Sequence, residues 1–279
     1  MLHIAICFGY LPMLEYTGFS KQLHDKKNLY TIIVETLKNA RLINDGTNAN
    51  IQFASRTDRG VGAIFQVVSL FTNHNPIIAE INSYLPNSIR ALGYTEVPKD
   101  FNPRKDALLR TYSYFLSTHT ELDLFTIRSS LDLLVGKHNF QNFAKNDPKR
   151  VVNTIKDVEL AKIFPLNNNT YHIRIASKSF LWQQIRRIIG HLIDISDGKY
   201  DSQYTLKLLE NDSIITKPSP VPPQYLILEK IHYKNVKFNY DKKSIRIFRQ
   251  MLMEQLIQAR SNSGLYTFLM NYFTDLKKE

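Results

Sequence analysis

The sequence predicts an α+β fold. Two observations carry this. Short apolar runs at residues 3–10, 110–117 and 169–177 have the alternation or β-branched content of strands. Longer runs at 28–41, 124–135 and 180–196 place apolar side chains at helical spacing. A mixture of the two kinds, in a chain of 279 residues that can bury a substantial core, points to helices layered on a sheet.

In chain order, residues 3–10 read as a strand. Leu29, Ile32, Ile33, Leu37 and Ala40 make 28–41 an amphipathic helix, and the Asn-, Asp- and Gly-rich stretch 42–50 a turn. Strands are expected on both sides of Asp58, around Ile51 and Phe53 and again from Ile64 to Leu70. A helix over 75–84 is stopped by Pro86. Residues 110–117 form a strand with Tyr112 and Tyr114 on one face, because side chains alternate. Leu124 to Val135 is a helix closed by Gly136. Residues 151–163 and 169–177 pair through the turn at Pro165–Asn169. The helix 180–196 carries Ile185, Ile188, Ile189, Leu192 and Ile193 on its apolar side. A short helix at 203–210, a proline-rich loop at 218–223 and a strand at 225–234 follow. Ile247, Met251, Leu252 and Leu256 predict a last helix over 244–260, packed on its own domain. The expected boundary lies near Asn102-Pro103, giving units 1–103 and 104–240 and a helical extension, 241–279.

Composition narrows the function. There are 36 Lys and Arg against 25 Asp and Glu, a net charge of +11. Such an excess suits a polyanionic partner, nucleic acid or an acidic membrane surface. The single cysteine, Cys7, excludes an internal disulfide and lies in an apolar run, which suits a buried thiol. No signal peptide is evident and no apolar run is long enough to span a bilayer, so a soluble, cytoplasmic protein is expected. The eight histidines have no metal-ligand spacing, and neither a P-loop nor a strand-linked G-x-G-x-x-G appears; no metal, cofactor or bound nucleotide is expected.

One stretch concentrates chemistry: Ala54-Ser55-Arg56-Thr57-Asp58-Arg59-Gly60-Val61-Gly62-Ala63. It sets one carboxylate between two arginines in a loop between strands. Read alone, a charged loop is ordinarily solvated surface. Its neighbouring cations are expected to keep Asp58 ionised.

This stretch resembles the G-R-T-D-x-G-V-H-A signature of the TruA family of tRNA pseudouridine synthases, departing from it at Ser55 and Gly62. Further blocks follow in the family's order. Tyr10 with Gly18-Phe19-Ser20-Lys21-Gln22 is similar to Y-D-G…G-W-Q-x-Q, altered at Ser20. Asn82 to Pro86 and Val97 to Arg104 are similar to L-N…L-P…V-P-x-D-F-x-A-R, and Arg110-Thr111-Tyr112-Ser113-Tyr114 to R-x-Y-x-Y. Gly136 to Phe140, Phe180 to Arg186 and Pro222 to Leu228 complete the set. The wording of the Arg110 and His138 blocks leans toward archaeal and eukaryotic-type members.

The resemblance implies two α+β halves joined into one continuous, mainly antiparallel sheet flanked by helices, with a central active-site cleft. It implies conversion of uridine to pseudouridine in the anticodon stem-loop of tRNA, at positions 38 to 40, by a homodimer without cofactor. Asp58 takes the part of the catalytic carboxylate, Arg186 of its arginine partner and Tyr112 of the tyrosine beside the base. Tyr114 and Leu226 are candidates for the pocket wall, and Arg56, with Thr57 next to it, for the space a flipped base leaves. Lys21, Arg59, Arg104 and Arg187 are candidate RNA contacts, together with Lys137, Lys145, Lys149 and Arg150; most would touch phosphate. His138 is expected to make a structural hydrogen bond. A related synthase with other RNA targets and a noncatalytic RNA-binding protein on the same scaffold are the alternatives.

Overall fold

Ten strands form a single sheet in a computed structural model that describes residues 1–20, 27–44, 49–145, 152–167, 169–210 and 216–275. The strands are β1 (Leu2–Tyr10), β2 (Gln52–Phe53), β3 (Gly62–Thr72), β4 (Ile89–Glu96), β5 (Ala107–Ser117), β6 (Gly136–Asn139), β7 (Ile155–Pro165), β8 (Thr170–Ser177), β9 (Leu226–Tyr233) and β10 (Asn239–Tyr240). They run in the order β10-β4-β1-β3-β9-β5-β8-β7-β6, with β2 beside β3. Every pairing is antiparallel except β3 with β9, where Gly62 lies opposite Ile227 and Ala63 opposite Leu228. That short parallel ladder joins the two parts of the sheet.

The helices are α1 (Leu29–Asn39), α2 (Ile78–Tyr84), α3 (Leu124–Leu134), α4 (Gln184–Ser196), α5 (Tyr204–Leu209) and α6 (Lys242–Asp275). Local chemistry sets their starts. The Asn28 side chain accepts from the amide of Tyr30 at the head of α1, and Asp123 accepts from Phe125 and Thr126 at the head of α3, each satisfying amides with no partner inside the helix. Helix α1 buries Leu29, Ile33 and Leu37, and α4 buries Ile185, Ile188, Ile189, Leu192 and Ile195. These residues belong to one core that also takes in Ile4, Ile6 and Phe8 of β1 and Ile173 and Ile175 of β8. Cys7 is buried beside Leu92 and Phe248, as its apolar surroundings predicted.

Some elements differ from expectation. Strands β4, β6 and β10 were not anticipated. In β4 the residues from Ile89 to Gly93 are all buried, so no alternation shows, and Arg90 is accommodated because its guanidinium donates to the carbonyls of Pro86 and Ile89 and to Asn87 Oδ1. Helix α4 starts at Gln184 rather than at 180. Gln183 takes a left-handed conformation, φ 62°, and the Gln184 side chain accepts the Leu181 amide, closing a turn at Phe180–Gln183. The turn expected at 42–50 lies partly outside the described residues, as does the start of the strand expected at 151.

The last helix is the largest correction. It runs from Lys242 to Asp275, well past 260, and only its first turns pack on the body: Phe248 on Cys7 and Leu92, and Ser244 accepting from Asn82 Nδ2 at 2.8 Å. From Leu252 to Thr274 every side chain is exposed.

Candidate active site

Asp58 sits in the loop between β2 and β3, and backbone contacts hold that loop. The Val61 amide donates to the Asp58 carbonyl at 3.1 Å, and the Phe19 amide to the Thr57 carbonyl at 3.0 Å. Gly18 makes the second contact possible. Its φ is +101°, and a Cβ there would stand 2.6 Å from the Thr57 oxygen and 3.0 Å from the Asp58 carbonyl carbon. Only glycine combines that dihedral with so close an approach. Below the loop, the Thr57 and Tyr10 hydroxyls share a hydrogen bond of 2.9 Å, and Gln66 clasps Ser55 through both its amide and its carbonyl.

Gly62 has a steric account. A Cβ at this position would lie 3.0 Å from both the ring Cδ and the nitrogen of Pro12. Pro12 fills the space that a His or Ser side chain would need.

The sheet and α4 bring distant residues to Asp58. Arg186 Nη1 stands 3.4 Å from Asp58 Oδ2, and Arg186 Nε donates to the Val221 carbonyl at 2.7 Å. The Val221 amide returns a bond to the Arg186 carbonyl, so the 218–221 loop and the first turn of α4 fix the guanidinium together. Trp182, in the turn before α4, favours the ionised form of Asp58. Lys145 lies over the outer face of that indole, 4.4 Å from the ring centroid.

Burial lifts the Asp58 carboxyl above its ordinary range; Arg186, Trp182 and Lys145 oppose that rise. The side chain remains 27% exposed and Arg186 12% exposed. This corrects the expectation that the flanking arginines keep Asp58 ionised. Arg59 turns away and donates to the Leu14 carbonyl at 2.8 Å, and Arg56 is exposed. The cations that act on Asp58 are Arg186 and Lys145, remote in sequence.

Strand β5 supplies the tyrosines. Arg110, Tyr112, Tyr114 and Leu116 alternate onto one face, opposite Ser177, Ile175, Ile173 and Tyr171 of β8. Tyr112 is buried, meets Phe180 edge-on at 5.4 Å and lies opposite Leu228 of β9; the Asp58 charge bears on its hydroxyl. Tyr114 is buried beside Tyr225 and opposite Leu226, which is buried too.

The remaining candidates are placed elsewhere. Arg187 donates to the Pro218 carbonyl at 2.6 Å and to Gln183 Oε1 at 3.2 Å, spending its guanidinium on its own loop. Arg104 is exposed in the loop before β5, and its carbonyl accepts from Arg110. Lys137 is exposed on β6. Lys21, Lys149 and Arg150 lie outside the described residues. His138 Nε2 bonds the Val135 carbonyl at 2.9 Å. Among the described residues no three His, Cys, Asp or Glu side chains gather to hold a metal.

Trp182 was not singled out from sequence as a site residue. Its signal was available: it is the sole tryptophan of the chain and lies inside the block ending at Arg186. Ser55 and Arg110 were likewise quoted without a role.

Comparison with known proteins shows the family. A family model described as tRNA pseudouridine synthase matches residues 131–234. The chain is 33% identical over 243 residues to tRNA pseudouridine synthase A of Thermococcus kodakarensis, covering 86% of this chain and 89% of that one. It is 29% identical over 279 residues to tRNA pseudouridine synthase A of Methanothermobacter thermautotrophicus, covering 100% and 98%. A chain in the crystal structure of a Cbf5-Nop10-Gar1 complex is similar over 82% of this chain and 50% of that one, at 10% identity and a TM-score of 0.40. The protein is thus an enzyme of the isomerase class. It belongs to the TruA-type tRNA pseudouridine synthase family.

Proposed function

We propose that this protein isomerises uridine to pseudouridine in the anticodon stem-loop of tRNA, at positions 38 to 40, with Asp58 as the catalytic carboxylate. The reaction breaks the bond from uracil N1 to ribose C1′, turns the base, joins C5 to C1′, and moves a proton from C5 to solvent and one onto N1. It needs no redox partner or group donor. It does need a carboxylate held rigidly near C1′, to attack that carbon or to take a proton.

The observation that carries the reading is the Asp58–Arg186 pair at 3.4 Å, assembled from segments that share no local structural reason to meet. A charge-assisted pair fixes the acid's orientation, and Tyr112 lies close enough for the Asp58 charge to bear on it. A uridine inside a stem leaves its stack before a side chain reaches C1′, at a cost of a few kcal/mol, and exposed Arg56 is the candidate to fill the gap. Phosphate contacts fall to the positive surface, including Arg59, Arg104 and Lys137.

The same reading divides the chain into units 1–103, 104–240 and 241–279, and places the enzyme in the cytoplasm as a homodimer. Exposed Leu252, Ala259, Tyr266 and Phe273 recur at seven-residue intervals along α6, a spacing that suits contact with a second helix.

The test is tritium release from tRNA labelled at uridine C5. Wild type is expected to release label and Asp58→Asn to release none, while both bind tRNA within a few-fold of each other, since most affinity is phosphate-based. Equal release by the two proteins removes Asp58 from the chemistry.

A further inference from the structure

Trp182 is the only tryptophan of the chain, and it is 45% exposed. Tryptophan carries a large apolar surface and is ordinarily well buried. This one stands in the turn that leads to Arg186 and Asp58. Leu181 and Gln184 are buried and anchor that turn, with the Leu181 amide donating to Gln184 Oε1 at 2.8 Å. Phe180 points inward and meets buried Tyr112 edge-on at 5.4 Å, while Trp182 faces solvent.

A cation is tied to the same turn. The Lys145 amide donates to the Trp182 carbonyl at 2.9 Å, and Lys145 Nζ lies 4.4 Å from the centre of the indole ring. Lys145 is itself exposed. Both residues favour the ionised form of Asp58, which agrees with their place at the rim of its site. A flat aromatic surface beside a tethered positive charge is the pairing that holds single-stranded nucleic acid: the ring takes a base, the cation its phosphate.

We propose that Trp182 is a stacking platform for the nucleobase next to the target uridine, with Lys145 as its phosphate contact, an inference that rests on the pseudouridine synthase reading above. The target itself goes deeper, because its C1′ must reach Asp58, only 27% exposed, beside buried Tyr112. The rim is left to its neighbour. In the free protein Lys145 covers the ring. A stacked base gains more from an aromatic face than an exposed ammonium does, so the base replaces the ammonium over the indole. The freed ammonium stays within reach of the same nucleotide, since its backbone is bonded to Trp182. Every base has a π face, so the platform is indifferent to sequence. It offsets the stacking that a strand loses when a uridine is extruded.

The lone tryptophan is its own probe. Excited beyond the absorption of tyrosine, it alone emits. A short oligouridylate is expected to quench it, and an abasic oligomer of the same length and charge to leave it nearly unchanged. Trp182→Ala is expected to weaken the oligouridylate about tenfold and the abasic oligomer hardly at all, with Trp182→Phe between wild type and Trp182→Ala. Lys145→Ala is expected to weaken both oligomers by a similar factor and to lower the slope of log affinity against log salt by about 0.7. Saturating oligouridylate that leaves the emission unchanged overturns the inference. So does a folded Trp182→Ala that loses both oligomers equally, as a merely structural role would require. Tritium release from labelled tRNA is measured alongside. If wild type releases none, the synthase reading fails by itself, and the emission still decides whether Trp182 stacks a base.

Discussion

Arg186 and Asp58 are 128 residues apart in sequence, and their charged groups meet at 3.4 Å. The arginine is the largest influence favouring ionised Asp58, against a burial that favours the neutral acid. Arg186→Gln leaves burial opposed only by Trp182 and Lys145. The Asp58 pKa then rises, and the acid limb of the pH–activity profile moves to higher pH by about one unit or more. Rates of tritium release between pH 5 and 8 check this. An unmoved limb means the pair does not control Asp58.

Gly18→Ala tests the seat of the Asp58 loop. The new Cβ meets the Thr57 carbonyl at 2.6 Å while φ is +101°, so the loop must shift. The expected loss of stability is about 1–3 kcal/mol, read by urea unfolding. The loss of kcat is expected to exceed what that destabilisation explains, since Asp58 moves with the backbone. Wild-type stability and turnover in the variant contradict this placement.

His191 gives the fold a pH dependence independent of the chemistry. It is fully buried on α4, its Nε2 bonds Thr205 at 2.9 Å, and its Nδ1 has no hydrogen-bond partner among the described residues. Burial lowers its pKa to about 4. Between that value and the ordinary 6.5 of an unfolded histidine, the unfolded chain binds the proton and the folded one does not. Its contribution is therefore complete above pH 6.5 and falls away as pH drops toward 4, by at most about 3 kcal/mol. Stability curves from pH 8 to 4 are expected to show this slope in wild type and a flatter one in His191→Gln.

The homodimer proposal gives helix α6 a test that separates assembly from folding. A chain ending at residue 251 keeps Ser244 and Phe248, the buried anchors, and omits the exposed stretch beyond. It is expected to unfold cooperatively near the wild-type temperature but to sediment as a monomer where the full chain is a dimer. A full chain that is monomeric at micromolar concentration ends the homodimer proposal.

Much of this was legible because local rules govern it. The spacing of Leu29, Ile33 and Leu37 located α1, and alternation placed Tyr112 and Tyr114 together on β5. What stayed hidden is set by distant contacts. Strand β4 is buried without alternation and carries Arg90, so no periodic signal marked it. The 180–183 turn read as helix because its apolar residues continue the spacing of α4; the left-handed Gln183 breaks it. The environment of Asp58 misled most. The adjacent arginines suggested a solvated, ionised carboxylate, while Asp58 is largely buried and its partner Arg186 lies more than a hundred positions away.

The junction of β3 with β9 governs when a chain under synthesis becomes an enzyme. Strand β3 ends at Thr72, and the strand that joins it to β5 begins only at Leu226. Until the ribosome has released residues 226–233, the Asp58 loop and the Tyr112 strand belong to unconnected pieces of sheet. Strand β10, which covers the edge of β4, emerges later still. The Asp58 loop and the Tyr112 strand are thus joined only once β9 has been made, and fragments cut short before β9 carry Asp58 without the strand that ties it to Tyr112.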